Sequence, residues 1–178
     1  VISEKAKISP LADIEDSVRG SRIVIEDGAV IDAFVKIKPA GGSGDVRVGA
    51  GTTLNSGCVI YTGHGVDIGA RCAIAANVIF AGTNHEFRDP DRDIVDQGFM
   101  PGRGGIIVED GVWIGAGVVL LDGAILRTGC VVGALSLVRS EIPAGAVCTG
   151  NPAAVIGQRG HGRFALPETG AFPPVESA

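Results

Sequence analysis

From Val108 onward an apolar or small residue recurs at every sixth position: Val108, Ile114, Leu120, Leu126, Val132, Val138, Ala144, Gly150 and Ile156. A helix repeats every ~3.6 residues and a strand every two, so neither produces a period of six. Two shorter runs precede this one. The first is Val48, Leu54 and Ile60, continued by Ile68, Ile74 and Phe80 after a two-residue insertion near His64. The second is Ile25, Ile31 and Ile37, which ends at a glycine-rich stretch, 41–45. Ile8 and Ile14 make a weaker start before both.

A second register runs beside the first. Four residues after the anchors stand small or β-branched residues: Ala29, Val35, Thr52, Cys58, Cys72, Val78, Val118, Ala124, Cys130, Ser136 and Cys148. Each hexapeptide then reads as one short strand and one turn, and three of them close a triangular coil of about 18 residues. One coil cannot bury its inward face alone, so stacking must supply the core. Composition agrees. Glycine accounts for 28 of 178 residues against six Phe, one Trp and one Tyr, with no collagen-like spacing. All four cysteines fall in the small inward register, where a free thiol behaves as a small hydrophobe. That placement predicts structural thiols in a reducing compartment, neither disulfides nor nucleophiles.

Charge narrows the function classes. Fifteen Lys and Arg against twenty Asp and Glu leave a net charge of −5. The densest basic stretch, Arg88 to Arg92, is interleaved with Asp89 and Asp91 and cancels. Nucleic acid and anionic membrane surfaces are therefore poor partners. No apolar run approaches the ~18 residues of a membrane span. The opening VISEKAKISPLAD has charges where a secretory leader needs an apolar run. A soluble cytoplasmic protein is the expectation.

Between Phe80 and Val108 the period fails, and a polar segment rich in Asp, Arg, Gly and Pro intervenes. A loop of that length inside a compact fold is more often functional than not. It opens on Thr83-Asn84-His85-Glu86-Phe87. An imidazole, titrating near ~6.5 in isolation, suits removal of a proton from an attacking hydroxyl or amine at neutral pH. The bland alternative is a surface-loop histidine. Its position at the end of a repeat run, opening the long insertion, favours the general base.

With the period, the histidine and its loop in view, the chain resembles the hexapeptide-repeat acyltransferases over about residues 14–159. The resemblance implies an all-β, left-handed parallel β-helix, a homotrimer with active sites between subunits, and acetyl-CoA as donor without a metal. Three blocks narrow it to the galactoside, maltose and xenobiotic acetyltransferase branch. They are His85 with its loop, Gly111-Val112-Trp113-Ile114-Gly115-Ala116, and a closing part made of Glu141-Ile142-Pro143 and Gly150-Asn151-Pro152-Ala153-Ala154-Val155-Ile156. The wording around His85, with Gln97-Gly98-Phe99 after it, looks most like acetyltransferases of bacterial surface-polysaccharide or lipopolysaccharide biosynthesis.

Further roles carry over by position. Asn55 matches an asparagine that contacts the acceptor sugar; a corner asparagine in a turn is its plain alternative. A substrate-binding aspartate of the branch falls at Gly63, which puts simple galactosides in doubt, and His64 is the polar neighbour that could substitute. Asn84 and Glu86 flank the base and could touch the acceptor or orient the imidazole. Ala116 and Ala134 match residues whose backbone groups meet pantetheine, and Trp113 an aromatic beside it. Arg139 and Arg159 lie where basic residues approach the CoA phosphates; packing and solvated surface charge are the alternatives for these three. The expected organisation is one domain over 1–159, with an inserted loop at 86–106 and an extended or disordered tail at 160–178. The tail contains Leu166-Pro167-Glu168-Thr169-Gly170, a sortase-like string read as coincidence because no apolar span follows it.

The reading is an acetyl-CoA-dependent acetyltransferase acting on a hydroxyl or amine of a sugar or nucleotide-linked sugar. Other acceptors, serine or an antibiotic, form the runner-up, although serine enzymes carry a long helical N-terminal domain that this sequence does not show. A non-catalytic, glycan-binding β-helix is a third reading. A γ-type carbonic anhydrase would need three His ligands; the three histidines are His64, His85 and His161, the last in the tail.

Overall fold

Two- and three-residue strands are too short to hold together alone, so each must draw its hydrogen bonds from the coils before and after it. The computed structural model describes residues 1–160 and shows this arrangement, a parallel β-helix of three sheets. The first face stacks Ile23–Ile25, Val46–Val48, Val66–Ile68, Ile106–Val108, Ile125–Leu126 and Glu141–Ile142. The second stacks Lys7–Ile8, Val30–Ile31, Thr53–Leu54, Ala73–Ile74, Trp113–Ile114, Val131–Val132 and Ala146–Thr149. The third stacks Asp13–Ile14, Lys36–Lys38, Val59–Tyr61, Ile79–Ala81, Val119–Leu121 and Leu137–Val138. Beyond Gly160, the expected tail, His161 and the 166–170 string lie outside the described residues.

Register turns the six-residue period into columns. Ile60, Phe80, Leu120 and Val138 lie directly above one another. Leu54, Ile74, Ile114, Val132 and Cys148 form a second column. Both are buried, as is every member of the small register named above. Each large anchor contributes roughly 1.5–3 kcal/mol by leaving water. Among the buried hydroxyls, Thr52 Oγ1 donates to the Gly69 carbonyl at 2.7 Å and accepts from the Cys72 amide at 2.9 Å, whereas those of Ser21, Thr62 and Thr83 find no partner among the described residues.

The period departs from expectation at the C-terminal end. Ala144 and Ile156 are exposed, and the inward positions pass to Ile142 and Cys148. The corner after Val138 is two residues shorter, because Leu126 pairs with Ile142. The last strand, Ala154–Gln158, then turns back antiparallel against Ala146–Thr149. A reversed strand stops the parallel stack from presenting the same open edge to another coil.

Corners impose left-handed backbone. Gly111 has φ 67°, and the equivalent slot one coil earlier holds Arg71 at φ 54°. At the second-to-third corner the same demand falls on Phe34, Asn77 and Leu135, at φ 59° to 61°. Such conformations are uncommon for bulky residues and persist because the coils on either side fix the backbone.

The four thiols are buried and unpaired. Burial pushes each of them up, Cys130 to about 12. Ellman's reagent at about pH 8 should therefore label no cysteine in the folded protein and all four after unfolding. A thiol reacting rapidly in the native state would break this account of the inner register.

Candidate functional site

Three corners connect the faces, and they are not alike. The third-to-first corner is packed backbone on backbone. A Cβ on Gly42 would lie 2.1 Å from the Gly63 carbonyl oxygen, and one on Gly63 would lie 2.0 Å from that of Gly82. Gly63 therefore has no room for a side chain. The long insertion leaves from this corner, after Ala81, and rejoins the first face at Ile106.

The insertion is folded. Residues 84–86 pair antiparallel with 98–100: the Met100 amide donates to the Asn84 carbonyl at 2.9 Å and the Glu86 amide to that of Gly98 at 3.0 Å. Between these bonds His85 bridges Phe99, with ring centroids 4.8 Å apart and planes inclined by 39°. Side chains alternate along a ribbon, so His85 and Phe99 share one side while Asn84, Glu86 and Met100 take the other. Among the described residues the His85 imidazole has no hydrogen-bond partner. A single helical turn, Ile94–Gln97, closes the far end, where Gln97 Nε2 donates to the carbonyls of Asp89 and Arg92, both at 2.9 Å.

Glu86 is committed elsewhere. Its carboxylate is paired with the Arg88 guanidinium and accepts the amides of Phe87 and Arg88. The Arg88 bond is the main cause that holds Glu86 down at about 2. Its folded pKa lies below the unfolded value, so the pair is intact near neutrality and weakens only as pH falls through about 2.

The return limb is anchored twice. Asp122, only 4% exposed, accepts the Arg103 amide on Oδ2 at 2.7 Å and the Gly105 amide on Oδ1 at 2.8 Å. Gly102 lies on the His64 ring, since a Cβ there would come within 2.4 Å of His64 Cγ. Asn84, Arg88, Met100, Pro101, Arg103 and Asp122 line a cavity of about 290 Å³ beside the ribbon. A larger one, about 440 Å³, includes His64, Asp45, Arg47 and Gly104, and His85 lines neither.

The other candidates lie on other corners. Asn55 sits at the second-to-third corner, with its Nδ2 donating to the Ile74 carbonyl at 2.7 Å. Ala116 and Ala134 are exposed on that same corner, joined through the Leu135 amide and the Ala116 carbonyl at 2.9 Å. Trp113 projects from the second face, 55% exposed, between Ala73 and Val131. Arg139 is exposed at the third-to-first corner, above the insertion. Arg159 donates to the Gly129 carbonyl at 2.8 Å at the remaining corner. One chain thus gathers His85, Asn84, Glu86, His64 and Arg139 around one corner and leaves Asn55, Trp113, Ala116, Ala134 and Arg159 away from it. No group of three or more His, Cys, Asp or Glu that could hold a metal ion occurs among the described residues.

Phe99, Gly102 and Asp122 were not singled out from sequence as site residues. Phe99 was legible only as part of a Gln-Gly-Phe string. Asp122 lies in an Asp-Gly turn whose importance depends on which limb reaches it.

Comparison with known proteins bears on the fold. No family model matches the chain. A mutant of the N-acyltransferase AntD from Bacillus cereus, solved with dTDP and coenzyme A, superposes with a TM-score of 0.73 at 22% identity, covering 89% of this chain and 83% of that one. A hexapeptide-repeat acetyltransferase from Vibrio cholerae, solved with acetyl coenzyme A, gives 0.67 at 22% identity over 78% and 72%. The chain therefore has the fold of the hexapeptide-repeat acetyltransferases. In sequence, a 2,3,4,5-tetrahydropyridine-2,6-dicarboxylate N-acetyltransferase of Staphylococcus aureus is 45% identical over 58 residues. That match covers 33% of this chain and 24% of the relative, so the chain spans about a quarter of the curated relatives it matches.

Gly102→Ala should lift the return limb off His64 and speed tryptic cleavage after Arg88 or Arg92 several-fold. Adding His64→Ala should make room for the new methyl and restore resistance. Equal cleavage of all three proteins would mean that the Gly102–His64 contact does not hold the limb.

Proposed function

We propose that the chain is an acetyl-CoA-dependent acetyltransferase that acylates a hydroxyl or amine of a sugar or nucleotide-linked sugar. The observation that carries this reading is His85, exposed on a hydrogen-bonded ribbon at the mouth of the long insertion, with no hydrogen bond to its imidazole among the described residues. A ring nitrogen takes the acceptor's proton as the acceptor oxygen or nitrogen bonds to the thioester carbonyl carbon. The tetrahedral oxyanion collapses, the C–S bond breaks, and the imidazolium returns its proton to the departing CoA thiolate. No acyl-enzyme is needed. Exposed Ala116 and Ala134 offer open backbone along which an amide-rich pantetheine can run, with Trp113 beside it and Arg139 and Arg159 as basic groups for the phosphates.

Ala116 and Ala134 lie on a different corner from the base, so a complete site needs two copies of the chain in this reading. We therefore place it between the subunits of a homotrimer. The third face separates these corners; its outward residues are charged in the first coils, at Asp13, Lys36 and Lys38, and apolar beyond them, at Val59, Ile79, Val119, Leu121 and Leu137. On the first face the outward Arg47, Asp67 and Glu141 are charged and paired from coil to coil. Parallel sheets are ordinarily covered on both sides. A second copy of this chain covers the third face in this reading.

A sugar-nucleotide acceptor is supported by the fold shared with AntD, whose structure holds dTDP. The wording around His85 supports cytoplasmic synthesis of surface polysaccharide or lipopolysaccharide precursors. A small non-sugar amine is the second reading, favoured by the 45% identity to a tetrahydropyridine-dicarboxylate N-acetyltransferase.

CoA thiol release from acetyl-CoA should be followed against UDP-, GDP- and dTDP-linked amino sugars, simple glycosides, polysaccharide fragments and tetrahydropyridine dicarboxylate. Release with a sugar or sugar nucleotide, lowered about 10²–10⁴-fold by His85→Ala, is the expected result. Turnover that survives His85→Ala removes the base, and silence across the panel removes the enzyme.

The oligomer has its own test. Mixing His85→Ala with Ala116→Arg, each inactive alone, should regain activity after subunit exchange, and the native mass should be three times that of the chain. A monomeric mass, or no regain, would place the whole site within one chain.

A further inference from the structure

A general base must sit within hydrogen-bond reach of the proton it removes, yet no hydrogen bond among the described residues fixes the His85 ring. An imidazole without a partner samples several rotamers, and misplacement of a reacting group by about 1 Å can cost roughly 10²-fold in rate. Glu86, the adjacent carboxylate, cannot orient it, being engaged by Arg88 and placed on the opposite side of the ribbon.

What does touch the imidazole is Phe99, 4.8 Å away between ring centroids. The pair is bracketed by the Met100–Asn84 and Glu86–Gly98 backbone bonds, so the Phe99 backbone stays opposite His85 while the ribbon is closed. The limb that carries Phe99 runs on to Asp122, which receives two of its amides. In the two preceding coils the position of Asp122 is held by Thr62 and Gly82, which carry no carboxylate. The acid appears at the coil that must accept the returning loop.

We propose that Phe99 is the positioning residue of His85, and that Asp122 is the anchor that keeps Phe99 in place; the role rests on the reading of His85 as general base. Ring packing restricts the imidazole by shape and leaves both nitrogens open. One can take the acceptor's proton, while neither is occupied by a permanent carboxylate partner. The active histidine is thus set by the closed insertion rather than by the coil beneath it.

The histidine ring C–H signals report this contact directly, because a neighbouring aromatic ring displaces them. Spectra would be recorded for the wild type, Phe99→Ala, Phe99→Tyr and Asp122→Ala, with His85→Ala to assign the His85 signal. The same proteins would be assayed for CoA release with the acceptor that turns over. The His85 signal should be displaced in the wild type and Phe99→Tyr, and move to an exposed histidine's position in Phe99→Ala and Asp122→Ala. Turnover should follow: kcat at least about ten-fold lower in the two alanine variants, KM for acetyl-CoA within about two-fold, and Phe99→Tyr near wild type. An unmoved signal or an unchanged kcat in Phe99→Ala would overturn the positioning role. An unmoved signal in Asp122→Ala would overturn the anchor. If His85→Ala keeps its turnover, or no acceptor turns over, the base assignment falls and the role of Phe99 falls with it, whatever the spectra show of the contact.

Discussion

Everything in this molecule depends on coils completing one another. A strand such as Thr53–Leu54 or Ile125–Leu126 has two residues, and its backbone groups and inward side chain are satisfied only by the coils above and below. The stack is therefore rigid along its length and intolerant within a coil. One residue added to a strand would turn the whole register outward. Additions are confined to corners, and the third-to-first corner takes the large one. There the 41–45 stretch, the extra residues near His64 and the segment between Ala81 and Ile106 lie above one another.

The insertion behaves as a small folded annex on a rigid post. Its two ends are fixed by the coils, its outgoing limb pairs with its returning limb, and Gln97 closes its far turn. Asp122 adds a polar anchor drawn from the next coil. Two charge-assisted bonds to a buried carboxylate are among the stronger single contacts available to a loop. Glu86 and Arg88, by contrast, make an exposed local pair of the kind that contributes little to stability, and its effect is to shape the 86–88 turn.

How much of this was legible depended on the range of the interactions involved. Ile60, Phe80 and Leu120 announce their common column because each obeys the same local period, and the small register marks Cys58, Cys72 and Cys130 as inward in the same way, whereas Cys148 stands in the anchor column beside Val132. The period misled at Ala144 and Ile156, where a shorter corner shifted the phase and apolar identity alone could not show it. The insertion was legible as an interruption but not as a fold. The Phe99–His85 ring contact and the Asp122 clamp join residues with no periodic relation, so nothing local marks them. Gly63 shows the converse: its departure from a resembling motif was visible in sequence, while its lack of room, with the Gly82 carbonyl 2.0 Å from where a Cβ would stand, is purely three-dimensional.

The distribution of candidate residues over three corners has a structural consequence. A triangular coil holds its corners apart by the width of a face, and no side-chain rotation brings Ala116 to His85 across the strands Ile79–Ala81 and Val119–Leu121. A short loop could not close that gap, and the loop present turns instead toward the first face, where Ile106 rejoins the stack. Apolar residues on the outside of the intervening face would be costly to leave in water on a sheet whose inner side is already buried. The proposed homotrimer removes both difficulties at once, because the corner that carries His85 in one copy can meet the corner that carries Ala116 and Ala134 in the next. In the proposed homotrimer the insertion would meet the acceptor, while the stacked corners would hold the thioester. Acceptor choice can then change by rebuilding one corner without disturbing the stack.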